Sequence, residues 1–124
     1  MPSSGFARVW RATWPSRAEQ LRDGLIQRFE FTYELSDRTL RRYLVQTAAS
    51  PDETGALPFA ELIRAGKALG LLHSDWPAWR RFRDMRSRTS HTYDVGTASE
   101  IVAAIPEFLS KVEHLAAELE RRQR

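Results

Sequence analysis

From about Ala18 to about Ala48, apolar residues recur at helical spacing, and this long uninterrupted period limits the fold more than any other feature of the chain. Leu21, Leu25, Phe29, Tyr33, Leu40 and Leu44 mark one stripe, whereas Ile26, Phe31, Leu35 and Tyr43 lie off it. A helix apolar on more than one side is either central or buried between subunits. Phe31, Leu35 and Tyr43 are therefore the candidates for a homodimer interface. Ser16 is placed to cap this helix, and Pro15 ends a short leading helix written in FARVWRATW. No stretch alternates apolar and polar residues long enough to make a strand.

The remaining segments read the same way. Residues 50–58 (SPDETGALP) are dense in helix breakers and read as an exposed loop. A shorter helix is expected from about Phe59 to Leu69, closing at Gly70. Ser74 or Asp75 caps the next, with Pro77 near its first position and Trp79, Phe82 and Met85 as its apolar stripe. Thr97-Ala-Ser-Glu100 matches a capping box that opens a last helix, apolar at Ile101, Ile105, Phe108, Val112, Leu115 and Leu119. Pro106 lies inside that helix, where it removes a hydrogen bond and is expected to kink the chain. The sum is an all-α fold: an antiparallel, up-and-down four-helix bundle with a short extra N-terminal helix.

A chain of 124 residues fits one domain, with a core from about residue 18 to 121. It has no cysteine, which excludes disulfides, thiolate catalysis and Cys-based zinc sites. His73, His91 and His114 show no metal-ligand spacing. The opening residues lack the apolar core of a signal peptide, and no apolar run nears a membrane span, so a cytoplasmic protein is expected. The net charge of +3 says little about nucleic acid, but its distribution says more. Between Trp76 and His91 stand Arg80, Arg81, Arg83, Arg86 and Arg88 against Asp84 alone. Arginine excess often reflects base composition; read functionally, arginine forks bind phosphate in bidentate fashion better than lysine does.

The segment Asp84-Met-Arg-Ser-Arg-Thr-Ser-His-Thr-Tyr-Asp94 gathers an arginine, a histidine, a tyrosine and several hydroxyls between two helices. On one continuous helix Arg86 and His91 would stand roughly 140° apart. A shared site therefore requires the helix to end within or just after the motif, and Gly96 and Thr97 fit such a break. His91 is the one acid/base whose ordinary titration lies near neutrality. Arg86 can hold a phosphate or stabilise its developing charge, with Arg83, Arg88 and Ser87 as further phosphate contacts. Such a set serves RNA cleavage in which the neighbouring 2′-hydroxyl attacks phosphorus, and a symmetric dimer would supply a second His91. From the pattern alone, a histidine near a helix end is more often a cap or a solvated surface group, and an arginine-rich helix more often a solvated face.

The motif RxxxxHxY, here Arg86 to Tyr93, resembles the signature of the HepT-like branch of the HEPN superfamily, also described as nucleotidyltransferase substrate-binding proteins. The block Ile26-Gln-Arg-Phe-Glu-Phe-Thr-Tyr-Glu-Leu35 resembles the family's long second helix, and helix order agrees from about residue 20 to 120. The resemblance implies a homodimeric bundle and a minimal nucleotidyltransferase as partner. It implies a metal-independent ribonuclease toxin with Arg86 and His91 as catalytic pair. Tyr93 would be the hydroxyl silenced by AMP transfer, with ATP entering only as AMP donor and no resident cofactor. A non-catalytic substrate-binding subunit of the partner enzyme fits the same residues. Ser87 departs from the family's common Asn, and Asp37 stands where an aromatic is frequent.

Overall fold

The structure, a computed structural model, describes residues 3–123. Its regular elements are all helical, with no strand among the described residues: α1 (Ser3–Thr13), α2 (Arg17–Thr47), α3 (Pro51–Gly55), α4 (Phe59–Ala68), α5 (Trp76–Ser87) and α6 (Val95–Arg122), with a 3-10 turn at Thr89–His91. Ser16 caps α2 as expected. Its hydroxyl accepts from the Glu19 amide at 3.2 Å, while its own amide donates to Glu19 Oε2 at 3.3 Å, so two amides without helical partners are satisfied.

Helix α2 is central, packing against α3, α4, α5 and α6. Its core face is Ile26, Phe29, Leu40 and Leu44, with Ser36 buried among them and its hydroxyl returned to Thr32 O. This differs from the expected stripe: Leu21 and Leu25 are exposed, and Ile26 is in the core. An unbroken series of four-residue steps rotates about 40° per step around a helix, so its first members leave the core side. Steps alternating between three and four hold it.

The 50–58 connection is not an open loop, because Pro51 starts one short helix with Asp52 and Glu53 in its first turn. Arg41 holds it in place, donating to Gly55 O at 3.2 Å and Leu57 O at 2.7 Å, and Asp37 pairs with the same guanidinium at 3.2 Å. The charge at Asp37 thus orients the arginine that satisfies otherwise unpaired carbonyls.

Helix α4 ends where expected. Gly70 takes φ 76°, its amide returns to Lys67 O, and Leu71 N returns to Gly66 O, a left-handed glycine closure. The turn drives Leu71 and Leu72 into the core. Asp75, not Ser74, caps α5 by accepting from Trp76 N at 2.7 Å. Helix α6 begins two residues before the expected capping box. Asp94 is the cap, accepting from Gly96 N at 3.0 Å and Thr97 Oγ1 at 3.3 Å. Thr97 is buried in the first turn, and Glu100 is drawn instead to Arg88 at 2.7 Å. The helix runs through Pro106 without interruption.

Phe108 of α6 is the centre of the core. Its ring meets Phe29 at 4.8 Å, Phe82 at 5.2 Å and Trp79 at 6.2 Å, all steeply inclined. Edge contacts of this kind add about 0.5–1.5 kcal/mol each beyond area burial, and here they lock α2, α5 and α6 together. No described helix is long and apolar enough to cross a membrane.

Candidate functional site

Helix α5 ends at Ser87, one residue after Arg86, and the chain then turns twice. His91 N donates to Arg88 O at 3.0 Å, and Asp94 N donates to His91 O at 3.2 Å. These three-residue closures replace the helical ladder and break the 140° separation that a continuous helix would impose. Thr89 pins the turn: it is buried, donates to Arg86 O at 2.8 Å and accepts from Arg86 Nη1 at 3.1 Å. The turn delivers His91 and Tyr93 to the surface with ring centroids 6.1 Å apart at 78°. Tyr93 is 83% exposed.

Arg86 faces two acids on α2. Its Nη2 donates to Glu34 Oε1, and Glu30 Oε2 lies 3.7 Å from Nη1. The Glu34 hydrogen bond holds the guanidinium above its already high range; desolvation opposes this, and the charge of Glu30 adds to it. Tyr33, on the same stretch of α2, is pushed up to about 12 by burial and then by Asp37, against the pull of Arg83 and Arg86. Glu30, Glu34 and Thr89 were not among the residues singled out from the motif. The two acids were nonetheless visible, one turn apart, in the block that carries the family resemblance.

The other arginines separate. Arg83 is exposed and makes no ion pair among the described residues, whereas Arg88 is held by Glu100 at 2.7 Å and Asp84 at 3.9 Å. Ser87 turns its hydroxyl back to Asp84 O at 2.7 Å. Phe31 and Leu35 are exposed on α2, at 52% and 43%, and Tyr43 is half-buried against the core. Phe6, Trp10 and Trp14 form a second exposed apolar row on and just after α1. A groove of about 610 Å³ separates the first half of α2 from the 3-10 turn, with Tyr93 and Thr92 on one wall.

The chain is similar to known proteins over most of its length. A family described as "Nucleotidyltransferase substrate binding protein like" matches residues 8–121. The chain is 40% identical over 116 residues to a protein of Haemophilus influenzae named "Probable ribonuclease HepT", covering 93% of this chain and 79% of that one. A solved structure from the same organism, described as revealing the fold of a substrate-binding domain of a nucleotidyltransferase, superposes with a TM-score of 0.80 at 39% identity. That match covers 91% of this chain and 84% of the other. The chain belongs to the HepT-like family of nucleotidyltransferase substrate-binding proteins.

Proposed function

We propose that this chain is a metal-independent endoribonuclease that works as a homodimer, with helices α2, α4, α5 and α6 acting as one bundle. A partner nucleotidyltransferase silences it at Tyr93. The observation that carries this reading is the 3-10 turn, which brings the His91 and Tyr93 rings to 6.1 Å from each other just after the helix end where Arg86 is held by Thr89 and Glu34. The ribonuclease name of its relative and the nucleotidyltransferase description of its structural neighbour support it from two directions.

In cleavage, His91 takes the proton from a ribose 2′-hydroxyl and the freed oxygen attacks phosphorus. The bond to the 5′-oxygen breaks as a 2′,3′-cyclic phosphate forms, and a proton returned to the 5′-oxygen completes the balance. His91 of a second copy is suited to that return. Arg86, ordered by Glu34 and Thr89, steadies the charge on phosphorus. In silencing, the Tyr93 hydroxyl attacks the α-phosphorus of ATP, pyrophosphate leaves and the phenolic proton passes to solvent. The anionic nucleotide left two residues from His91 then repels RNA phosphates.

A second reading, a substrate-binding subunit without catalysis, is favoured by two contacts. The Arg86 charge is compensated by Glu34 and Glu30, and the Ser87 hydroxyl is turned into its own helix. The deciding experiment is cleavage of end-labelled RNA in EDTA by wild-type protein and His91→Ala, after intact mass has shown Tyr93 free of AMP. Cleavage lost in the variant supports the ribonuclease. No cleavage by unmodified wild type leaves the binding subunit.

A further inference from the structure

We propose that the groove beside Tyr93 is a nucleotide cradle that receives the adenylyl group carried by that tyrosine; the inference rests on Tyr93 being the modified residue. The groove is about 610 Å³, within the roughly 300–1,000 Å³ that small-ligand sites span. One wall is built from a single side of α2. Gln20, Asp23, Gln27 and Glu30 follow one another at steps of three and four, so they project along one line. The opposite wall is Thr89, Thr92 and Tyr93, from the turn that carries the motif.

Gly24 opens the middle of the α2 wall. A Cβ there would meet nothing within 4 Å, so the space above the bare backbone is accessible to a ligand. The side chains around it match the parts of a nucleotide. The Gln20 and Gln27 amides each offer donors and an acceptor to the edge of a base, and the Asp23 and Glu30 carboxylates accept from ribose hydroxyls. Arg22 supplies the cation for the phosphodiester. Its side chain lines the groove and keeps a quarter of its surface in solvent, with Asp23 at 3.6 Å from Nε as its ion-pair neighbour.

The same lining argues against a track for RNA. Two carboxylates against one guanidinium repel a run of phosphates, whereas one nucleotide tethered through Tyr93 brings a single negative charge and needs only Arg22 to meet it. Tethering also offsets most of the entropy of binding, so weak contacts suffice to hold the adduct in the groove.

The test is titration of AMP into the isotope-labelled, unmodified full chain, followed through backbone amide shifts. Saturable shifts are expected at Gly24, Gln27 and Thr92, with half-saturation on the order of millimolar, as for a site evolved for a tethered ligand. Gly24→Phe fills the groove and should abolish them, and Gln27→Leu should weaken them by about threefold or more. A thermal melt of each variant confirms its fold. The proposal is overturned if AMP shifts no amide of the groove, if Gly24→Phe binds as well as wild type, or if a short oligoribonucleotide shifts these amides and AMP does not. Intact mass after incubation with the partner and ATP reads the Tyr93 assignment separately. An adduct without AMP shifts removes the cradle, and AMP shifts without an adduct remove Tyr93 as its source.

Discussion

Glu34 of α2 accepts a hydrogen bond from Arg86 of α5, joining two residues 52 positions apart at the point where α5 gives way to the 3-10 turn. Glu30, one turn earlier, and the Thr89 hydroxyl complete a three-sided hold on the guanidinium. More than half of the Glu34 side chain is in solvent, so the pair contributes about 1 kcal/mol at most to stability. Its greater effect is to fix where the positive charge sits. Glu34→Ala should lower kcat for RNA cleavage about tenfold, as expected when a preorganised charge is loosened. It should lower KM as well, because a released Arg86 binds phosphate more readily. Glu34→Gln keeps an acceptor and should stay within about threefold of wild type, the residual loss being that of a charge-assisted bond. Equal kcat for Glu34→Ala and wild type would remove Glu34 as a positioning residue.

Tyr33 sits behind this pair, its ring 6.3 Å from Phe29 and 5.4 Å from Phe59. With its pKa pushed from 10.0 to about 12, its phenol should ionise near pH 12 in an ultraviolet titration. The folded pKa lies above the unfolded one, so the folded state binds the proton more tightly. Stability is therefore unaffected below pH 10 and falls as pH rises from about 10 through 12. Tyr33→Phe should remove this step from a plot of melting temperature against pH. If wild type and variant decline in parallel across that window, the ionisation belongs to another group.

Much of this was legible in the sequence because it is local. Ser16 with Glu19, Asp75 before Trp76 and Gly70 after α4 are signals written within a few residues, and each stands where its pattern put it. The break after Ser87 was legible as a requirement of the motif's own geometry. What failed were competitions between equally good local candidates. Thr97 and Asp94 can both cap, and Asp94 does so while Glu100 goes to Arg88, a partner on another helix. The pairing of Glu30 and Glu34 with Arg86 is likewise tertiary, and no spacing rule connects α2 to α5. Leu21 and Leu25 continue a plausible stripe that helix rotation carries out of the core.

Two glycines in helices should respond to alanine in opposite directions. Gly24 is exposed within α2, and a Cβ there meets nothing within 4 Å, so Gly24→Ala should stabilise the chain by about 0.5–1 kcal/mol through helix propensity alone. Gly66 is buried in α4, where a Cβ would stand 3.1 Å from Leu72 Cδ1 and 3.2 Å from Leu40 Cδ1 and Leu72 Cγ. Crowding of about 1–3 kcal/mol then matches or exceeds the gain in propensity, and Gly66→Ala should be neutral to destabilising by about 2 kcal/mol. Denaturant melts of both variants decide the matter, and a stabilised Gly66→Ala would show that Leu72 yields more easily than its packing indicates.

Helix α2 carries a second apolar side that stands exposed among the described residues. Leu21, Leu25, Phe31 and Leu35 are all exposed, and helical rotation gathers them roughly 120° away from the Ile26–Phe29–Leu40 face. A symmetric dimer would bury this side against itself, so each substitution there counts twice. Completing the burial of one half-exposed Phe31 is worth about 1–1.5 kcal/mol, and two copies about 2–3 kcal/mol, or roughly a hundredfold in dimer dissociation constant. Phe31→Glu should accordingly move the protein from dimer to monomer on a sizing column while its melting curve, at a concentration where wild type is also monomeric, stays close to wild type. Leu69→Glu makes the same chemical change at an exposed leucine that follows α4, outside this stripe, and should elute with wild type. If Phe31→Glu elutes unchanged, the exposed side of α2 does not form the dimer, and the proposed second His91 must be sought through a different surface.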